Sequence, residues 1–135
     1  MRFMIIAPTV ARVLMGLVFL LMGLNGFFFF LPQPSTLPAG VVALSTAFMQ
    51  SGYLFQLIMG TQVVVGVLLL SNRFVPLALA VIAPVIVNII AYHIFLWPAA
   101  IGLPLLVLAL EIYLAWAYRA AFRPMLAMRA TPGTP

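Results

Sequence analysis

Two charged side chains, Arg12 and Glu111, stand inside long apolar stretches of this 135-residue chain, where charge is costly. The other five arginines fall between or beyond those stretches. At about 1.5 Å per helical residue, Glu111 lies about 12 Å inside Arg119, and Arg12 lies about 6–8 Å inside the start of the first stretch. Because the arginine side chain is long, both charged ends reach the same depth, and we predict an intramembrane ion pair.

This predicted pair has a structural and a functional interpretation. In the structural one, the pair ties the first apolar helix to the last, or Arg12 extends toward the membrane surface with its stem in apolar surroundings. In the functional one, the carboxyl group of Glu111 beside a switchable partner holds a proton or a ligand. We favour the structural interpretation, since charges within membranes usually pair.

A second set of polar side chains lies at middle depth or toward the other membrane surface: Asn25, Gln62, Asn88, Tyr92 and His93. One interpretation is that amide groups form hydrogen bonds between helices, worth about 1 kcal/mol each, while His93 anchors the helix end. The other is a candidate ligand-binding pocket for the headgroup of a quinone, whose carbonyl oxygens imidazole and amide donors would polarise. We favour hydrogen bonding between helices. If Asn88 and His93 face the bundle interior with Asn25, however, we predict that they line a pocket that opens toward the extracytoplasmic half.

The absence of cysteine and the presence of a single histidine restrict the chemistry. They exclude disulfides, iron–sulfur clusters and multi-histidine metal sites formed by this chain alone. No metal site is predicted, and a redox role would need an organic cofactor, such as a quinone, or a partner protein. The arginines are expected to mark the cytoplasmic ends of helices, so the net charge of +5 does not indicate nucleic acid.

The composition predicts an integral membrane protein. Hydrophobic residues make up 67% of the chain, charged residues 5%, and the mean hydropathy is +1.30, whereas soluble domains carry about 25% charged residues. We predict an all-α, polytopic transmembrane four-helix bundle in one domain, residues 1–124, followed by a disordered cytoplasmic tail, residues 125–135. The four predicted spans are residues 8–31, 53–71, 74–97 and 101–118.

The loop between the first two spans is rich in proline, but its second half has a helical pattern. Val41, Leu44 and Phe48 recur at helical spacing before Ser51-Gly52 ends the segment. We therefore predict a short helix in the membrane interface. In the third span, Pro84 leaves the carbonyl of Ala80 without its usual partner and predicts a kink.

Charge asymmetry orients the predicted bundle. With four spans, both termini and the Arg73 link lie on one side, together with five arginines, and the opposite loops carry no charge. By the positive-inside rule, both termini face the cytoplasm.

Several segments resemble the DoxX-like family of four-span membrane proteins, over residues 9–124. The similar segments are Arg12 to Gly16, Gly23 to Gly26, Ser51 to Arg73, Pro84 to Phe95 with Asn88 and His93, and Tyr113 to Pro124. This resemblance implies a four-span bundle in the bacterial inner membrane. Some relatives are linked to respiratory or oxidative-stress oxidoreductases, including a thiosulfate:quinone oxidoreductase subunit. Gln62 stands where many relatives carry glutamate.

We therefore expect a non-catalytic subunit or adaptor of a quinone-linked or oxidative-stress oxidoreductase system, surrounded by membrane lipids. A second possibility is a small proton-coupled transporter formed by two copies of the chain, although an arginine near Glu111 argues against it. A third is a membrane assembly factor without a ligand.

Overall fold

Helices account for almost all of the regular structure in residues 2–133, which this computed structural model describes. Within this range there is no β-strand, and the predicted all-α class is confirmed. The helices are α1 (Arg2–Phe28), α2 (Ala39–Gln50), α3 (Leu54–Ser71), α4 (Val75–Leu96), α5 (Gly102–Ala117) and α6 (Arg119–Phe122). Single turns of 3-10 helix occupy Pro98–Ala100 and Arg123–Leu126.

Three helices, α1, α3 and α4, are long and apolar enough to cross a membrane. Helix α5 has 16 residues, or about 24 Å, which is short for a span. It reaches the required length only together with the segment Arg119–Leu126, from which it is bent by 76°. The predicted count of four spans therefore holds when this bent pair is taken as one span.

The limits of α1 differ from the prediction of residues 8–31. The helix begins at Arg2, six residues before Pro8, which lies inside it and has no N–H to donate to the carbonyl of Met4. It ends at Phe28 because Phe29 adopts a left-handed conformation with φ of 51°. The other three predicted spans agree with α3, α4 and α5 to within one residue at each end.

The tight link between α3 and α4 follows from a Schellman motif. Asn72 is left-handed, with φ of 57°, and its N–H donates to the carbonyl of Leu69 at 3.4 Å. The N–H of Arg73 donates to the carbonyl of Leu68 at 3.1 Å. Asparagine tolerates this conformation better than most residues, so the chain reverses within three residues and α4 runs antiparallel to α3.

Glycines let α1 and α3 cross with their backbones in contact. A Cβ atom on Gly66 would lie 2.6 Å from the backbone nitrogen of Leu20, and one on Gly23 would lie 2.8 Å from the carbonyl oxygen of Met59. Small residues permit this approach between helices in membranes. The α1–α3 pair is therefore the most closely packed part of the bundle.

The core lies between α1, α3, α4 and α5, and the outer surface is also apolar. The fully buried side chains include Met15, Phe19, Leu69, Ile82 and Leu114. Large apolar side chains on the outward faces are exposed on every long helix. Such a surface fits a lipid environment, where apolar groups need no shielding.

Helix α2 confirms the helical pattern predicted for the proline-rich loop. Val41 is buried, Leu44 and Phe48 are half-buried, and a Cβ atom on Gly40 would lie 2.8 Å from Cδ2 of Leu96. Helix α2 thus packs against the end of α4. Its position in the membrane interface remains a prediction.

The tail forms no helix or strand from Ala127 to Gly133, and Met128 is completely exposed. Its last two residues, 134 and 135, lie outside the described range. Disorder of the tail remains a prediction.

Candidate functional site

Arg12 lies in the core between α1 and α3 and is 8% exposed. Its Nη1 donates a hydrogen bond to the carbonyl oxygen of Leu69 and lies 3.5 Å from that of Leu70. Both carbonyls belong to the last turn of α3, where helix geometry leaves backbone oxygens without helical donors and the helix dipole is negative. Arg12 therefore caps the C-terminal end of α3.

Glu111 lies on α5 and faces a groove between α4 and α5. Its Oε2 atom is buried and has no hydrogen-bond partner among residues 2–133. The groove has a volume of about 260 Å³. Its lining consists of apolar side chains and this one carboxyl group: Leu79, Ala80, Ala83, Glu111, Ala115 and Phe122.

The structure does not form the ion pair predicted between Arg12 and Glu111. The guanidinium group is engaged with the α3 carbonyls, while the carboxyl group faces the α4–α5 groove. The two residues lie at the same end of the bundle by depth, but the backbone carbonyls of α3 compete with Glu111 for the guanidinium group. The close approach of α1 to α3 puts the end of α3 within reach of Arg12.

Phe122, on the short helix α6, contributes to the groove and was not anticipated as a site residue. The bend after α5 places α6 against the core cluster, to which Phe122 packs. Nη1 of Arg119 donates to the carbonyl of Trp116 at 2.9 Å, and its guanidinium group lies 4.6 Å from the Trp116 ring centre. Neither proline nor glycine marks this bend, so the sequence carried no signal for it.

Asn25 has a structural role at the end of α1. Its Oδ1 accepts a hydrogen bond of 2.8 Å from the N–H of Leu31, and its carbonyl accepts one from the N–H of Phe29. The side chain thereby stabilises the chain reversal after α1, which is local rather than interhelical hydrogen bonding.

Asn88 is exposed on the outer face of α4. It therefore does not face the bundle interior with Asn25 and His93, which was the condition for a shared pocket. The buried residues Ile82 and Ile86 define the inward face of this helix, and Asn88 lies outside that face. No hydrogen bond to another residue in the described range satisfies its side-chain amide.

Tyr92 and His93 form an aromatic group near the end of α4. Nδ1 of His93 lies 2.8 Å from the carbonyl of Ile89, and because a carbonyl only accepts, Nδ1 carries the hydrogen. The His93 ring is stacked on Trp97 at 6.1 Å and meets Tyr92 edge-on at 4.9 Å. The Tyr92 side chain lies beside Ser45 of α2. These contacts position α2 and the helix end.

Gln62 is buried on α3, at 6% exposure. It lies four residues before Gly66 and therefore on the helix face that meets α1.

A wide groove of about 490 Å³ opens on another side of α3, toward α4, and is lined by Gln56, Gly60 and Thr61 among apolar residues. Neither groove is lined by Asn25, Asn88, Tyr92, His93 or Gln62, so the structure does not gather the candidate ligand-binding residues into one pocket.

Among residues 2–133, no group of three or more potential metal ligands is brought together. The fold and these side chains define an all-helical chain whose long apolar helices are compatible with a multi-pass membrane protein. The chain matches no protein-family model, and no curated protein or solved structure is significantly similar to it.

Proposed function

We propose that this chain is a DoxX-like, non-catalytic membrane subunit or adaptor that docks to another membrane protein through the outer face of α4. The proposal rests mainly on the exposed side-chain amide of Asn88. This residue precedes the end of α4 by eight positions, or about 12 Å. It therefore lies well inside the apolar length of the helix.

An amide at that depth needs a hydrogen-bonding partner that lipid tails cannot supply. No described residue of the chain itself satisfies it, and the neighbouring Val87 is 66% exposed. A helix of another protein carrying a polar side chain would cover this face and pair with the amide. The face around Asn88 is thus suited to association between proteins.

The remaining polar residues favour a supporting role over independent catalysis. Arg12 caps a helix, Asn25 stabilises a turn, and His93 is hydrogen-bonded to its own helix. The family resemblance supplies the redox part of the proposal: a quinone-linked or oxidative-stress oxidoreductase. A quinone would then be held by the partner, or at a joint surface that includes Asn88 and Tyr92.

Photo-crosslinking from the α4 face tests this association. A photoreactive amino acid at Val87 should yield a defined adduct in intact membranes, identified by mass spectrometry as an oxidoreductase subunit. The same amino acid at Leu21, an exposed position on α1, serves as the control and should yield much less. Asn88→Leu should reduce the adduct about fivefold, the equivalent of one interhelical hydrogen bond of about 1 kcal/mol.

Other outcomes of this experiment discriminate between the candidate functions. An adduct of twice the chain mass would favour association of two copies and, with it, the transporter. Equal labelling from Val87 and Leu21 would contradict a docking face on α4.

We further propose that the chain lies in the bacterial inner membrane with both termini in the cytoplasm. Because the chain contains no cysteine, single cysteines report topology without background. In whole cells, an impermeant thiol reagent should label Ser35→Cys and leave Met128→Cys unlabelled until the cells are opened. Both positions are exposed, so the reverse pattern would overturn the orientation.

A further inference from the structure

The groove between α4 and α5 combines an apolar wall with two hydrogen-bond acceptors. One acceptor is the buried Oε2 of Glu111, which has no partner in the described part of the chain. A second acceptor is expected at the carbonyl of Ala80, because Pro84 has no N–H to donate to it. Both residues line the same groove of about 260 Å³.

The groove contains no side-chain donor to match these acceptors. Its other lining residues are Leu79, Ala83, Ala115 and Phe122. Two arginines at this end of the bundle form contacts away from the groove. Arg12 donates to the carbonyls of α3, and Arg119 contacts Trp116. A carboxyl group in apolar surroundings either takes up a proton or pairs with a cation. The ligand that would keep Glu111 ionised is therefore a positively charged donor.

The number and position of the acceptors narrow the chemistry of this cation. A primary ammonium group has three N–H donors, enough for the carboxylate and the freed carbonyl together. A quaternary ammonium has the charge but no N–H group. The small alanine side chains and Phe122 leave room for an alkyl chain. Through the open side of the groove, this alkyl chain would extend into lipid.

We propose that the α4–α5 groove is a binding site for a primary alkylammonium group, with Glu111 as its counter-ion and the Ala80 carbonyl as the second acceptor. Phe122 covers the end of the groove and shields the pair from water. Glu111 lies six residues before the end of α5, or about 9 Å. A small lipophilic amine and the headgroup of an aminophospholipid share this chemistry and both reach this depth.

The chain offers a direct spectroscopic test because Glu111 is its only acidic side chain. Cell-free synthesis with glutamate labelled with 13C at the carboxyl carbon gives a protein with one labelled side-chain signal. The full chain is placed in nanodiscs of phosphatidylcholine and phosphatidylglycerol, and octylammonium is added. A saturable shift of the carboxyl signal is the expected result.

Two compounds with the same octyl chain separate charge from hydrogen bonding. Trimethyloctylammonium keeps the charge without N–H donors, and octanol keeps a donor without the charge. Each should bind at least about tenfold more weakly than octylammonium, because charge-assisted hydrogen bonds are the strong class. Equal saturation by all three compounds would show apolar partitioning and overturn the proposal.

Variants of α5 locate the site. Ala115→Leu fills the groove and leaves Glu111 in place, so it should abolish the saturable shift. Ile112→Leu, at an exposed position outside the groove, is the matched control and should retain it. Fluorescence of Trp97 and Trp116 checks that both variants are folded, and a shift that survives in folded Ala115→Leu protein contradicts binding in the groove.

A change of lipid distinguishes the two sources of the ammonium group. If nanodiscs that also contain phosphatidylethanolamine shift the signal without added amine, the occupant is the lipid headgroup. If only octylammonium shifts it, the site takes small amines. If neither does, the groove does not bind alkylammonium, and the adaptor function proposed above is unaffected because it depends on Asn88.

Discussion

Replacing Gly66 by alanine should lower the free energy of unfolding by about 3 kcal/mol, a value typical of severe overpacking. The added Cβ would lie 2.6 Å from the nitrogen and 2.8 Å from the Cα of Leu20, and 2.9 Å from the carbonyl oxygen of Gly16. These are backbone atoms, which cannot rotate away as a side chain does. The only relief is to separate α1 from α3, which would weaken the closest packing in the bundle.

Gly60→Ala is the matched control for this prediction. Gly60 lies on the same helix, and a Cβ atom there would meet no atom within 4 Å. Thermal unfolding in detergent, followed by tryptophan fluorescence, should show a large fall in Tm for Gly66→Ala and little change for Gly60→Ala. Similar Tm values for the two variants would mean that α1 and α3 do not cross at Gly66.

Arg12→Leu should destabilise the protein by about 3 kcal/mol, the upper end of the range of about 1.5–3 kcal/mol that hydrogen bonds from charged groups contribute. The replacement removes the donor to Leu69 and the positive charge at the negative end of the α3 dipole. Arg73→Leu changes an exposed arginine at the same end of the bundle and should alter stability by less than about 0.5 kcal/mol.

A double-mutant cycle with Glu111→Leu decides between the helix cap and the ion pair. Because Arg12 and Glu111 share no partner in the structure, the two effects should add to within about 0.5 kcal/mol. An ion pair would instead make the double replacement less harmful than the sum of the single ones. A coupling energy above about 1 kcal/mol, well beyond the range of additive sites, would restore the pairing interpretation.

The positions of the long helices were predictable because they depend on local features of the sequence. Apolar stretches about as long as a membrane is thick favour helices, and Asn72 and Trp97-Pro98 interrupt them where α3 and α4 end. The pattern of Val41, Leu44 and Phe48 similarly predicted α2. The limits of α5 were predicted to within one residue at each end, but the 76° bend after it was not, because Tyr118 and Arg119 are both ordinary helical residues.

The orientation of the polar side chains was much less predictable. In a soluble helix, polar residues mark the outward face, whereas the outward face of α4 also carries large apolar side chains. Periodicity therefore cannot separate the face that meets other helices from the face that meets lipid. Asn88 was expected to point inward because polar groups are costly in lipid. Instead, the packing of Ile82 and Ile86 in the core places Asn88 on the outward side of the helix.

By itself, the sequence determined that Arg12 and Glu111 are unusual, because a charge in an apolar stretch is costly wherever that stretch lies. It also determined the apolar, all-helical character of the chain. Only the tertiary structure decided what each charge meets. The approach of α1 to α3 across their glycines gives Arg12 two backbone carbonyls, and the bend before Phe122 helps to surround Glu111 with an apolar groove. These outcomes depend on the rotation and separation of helices, which long-range packing sets.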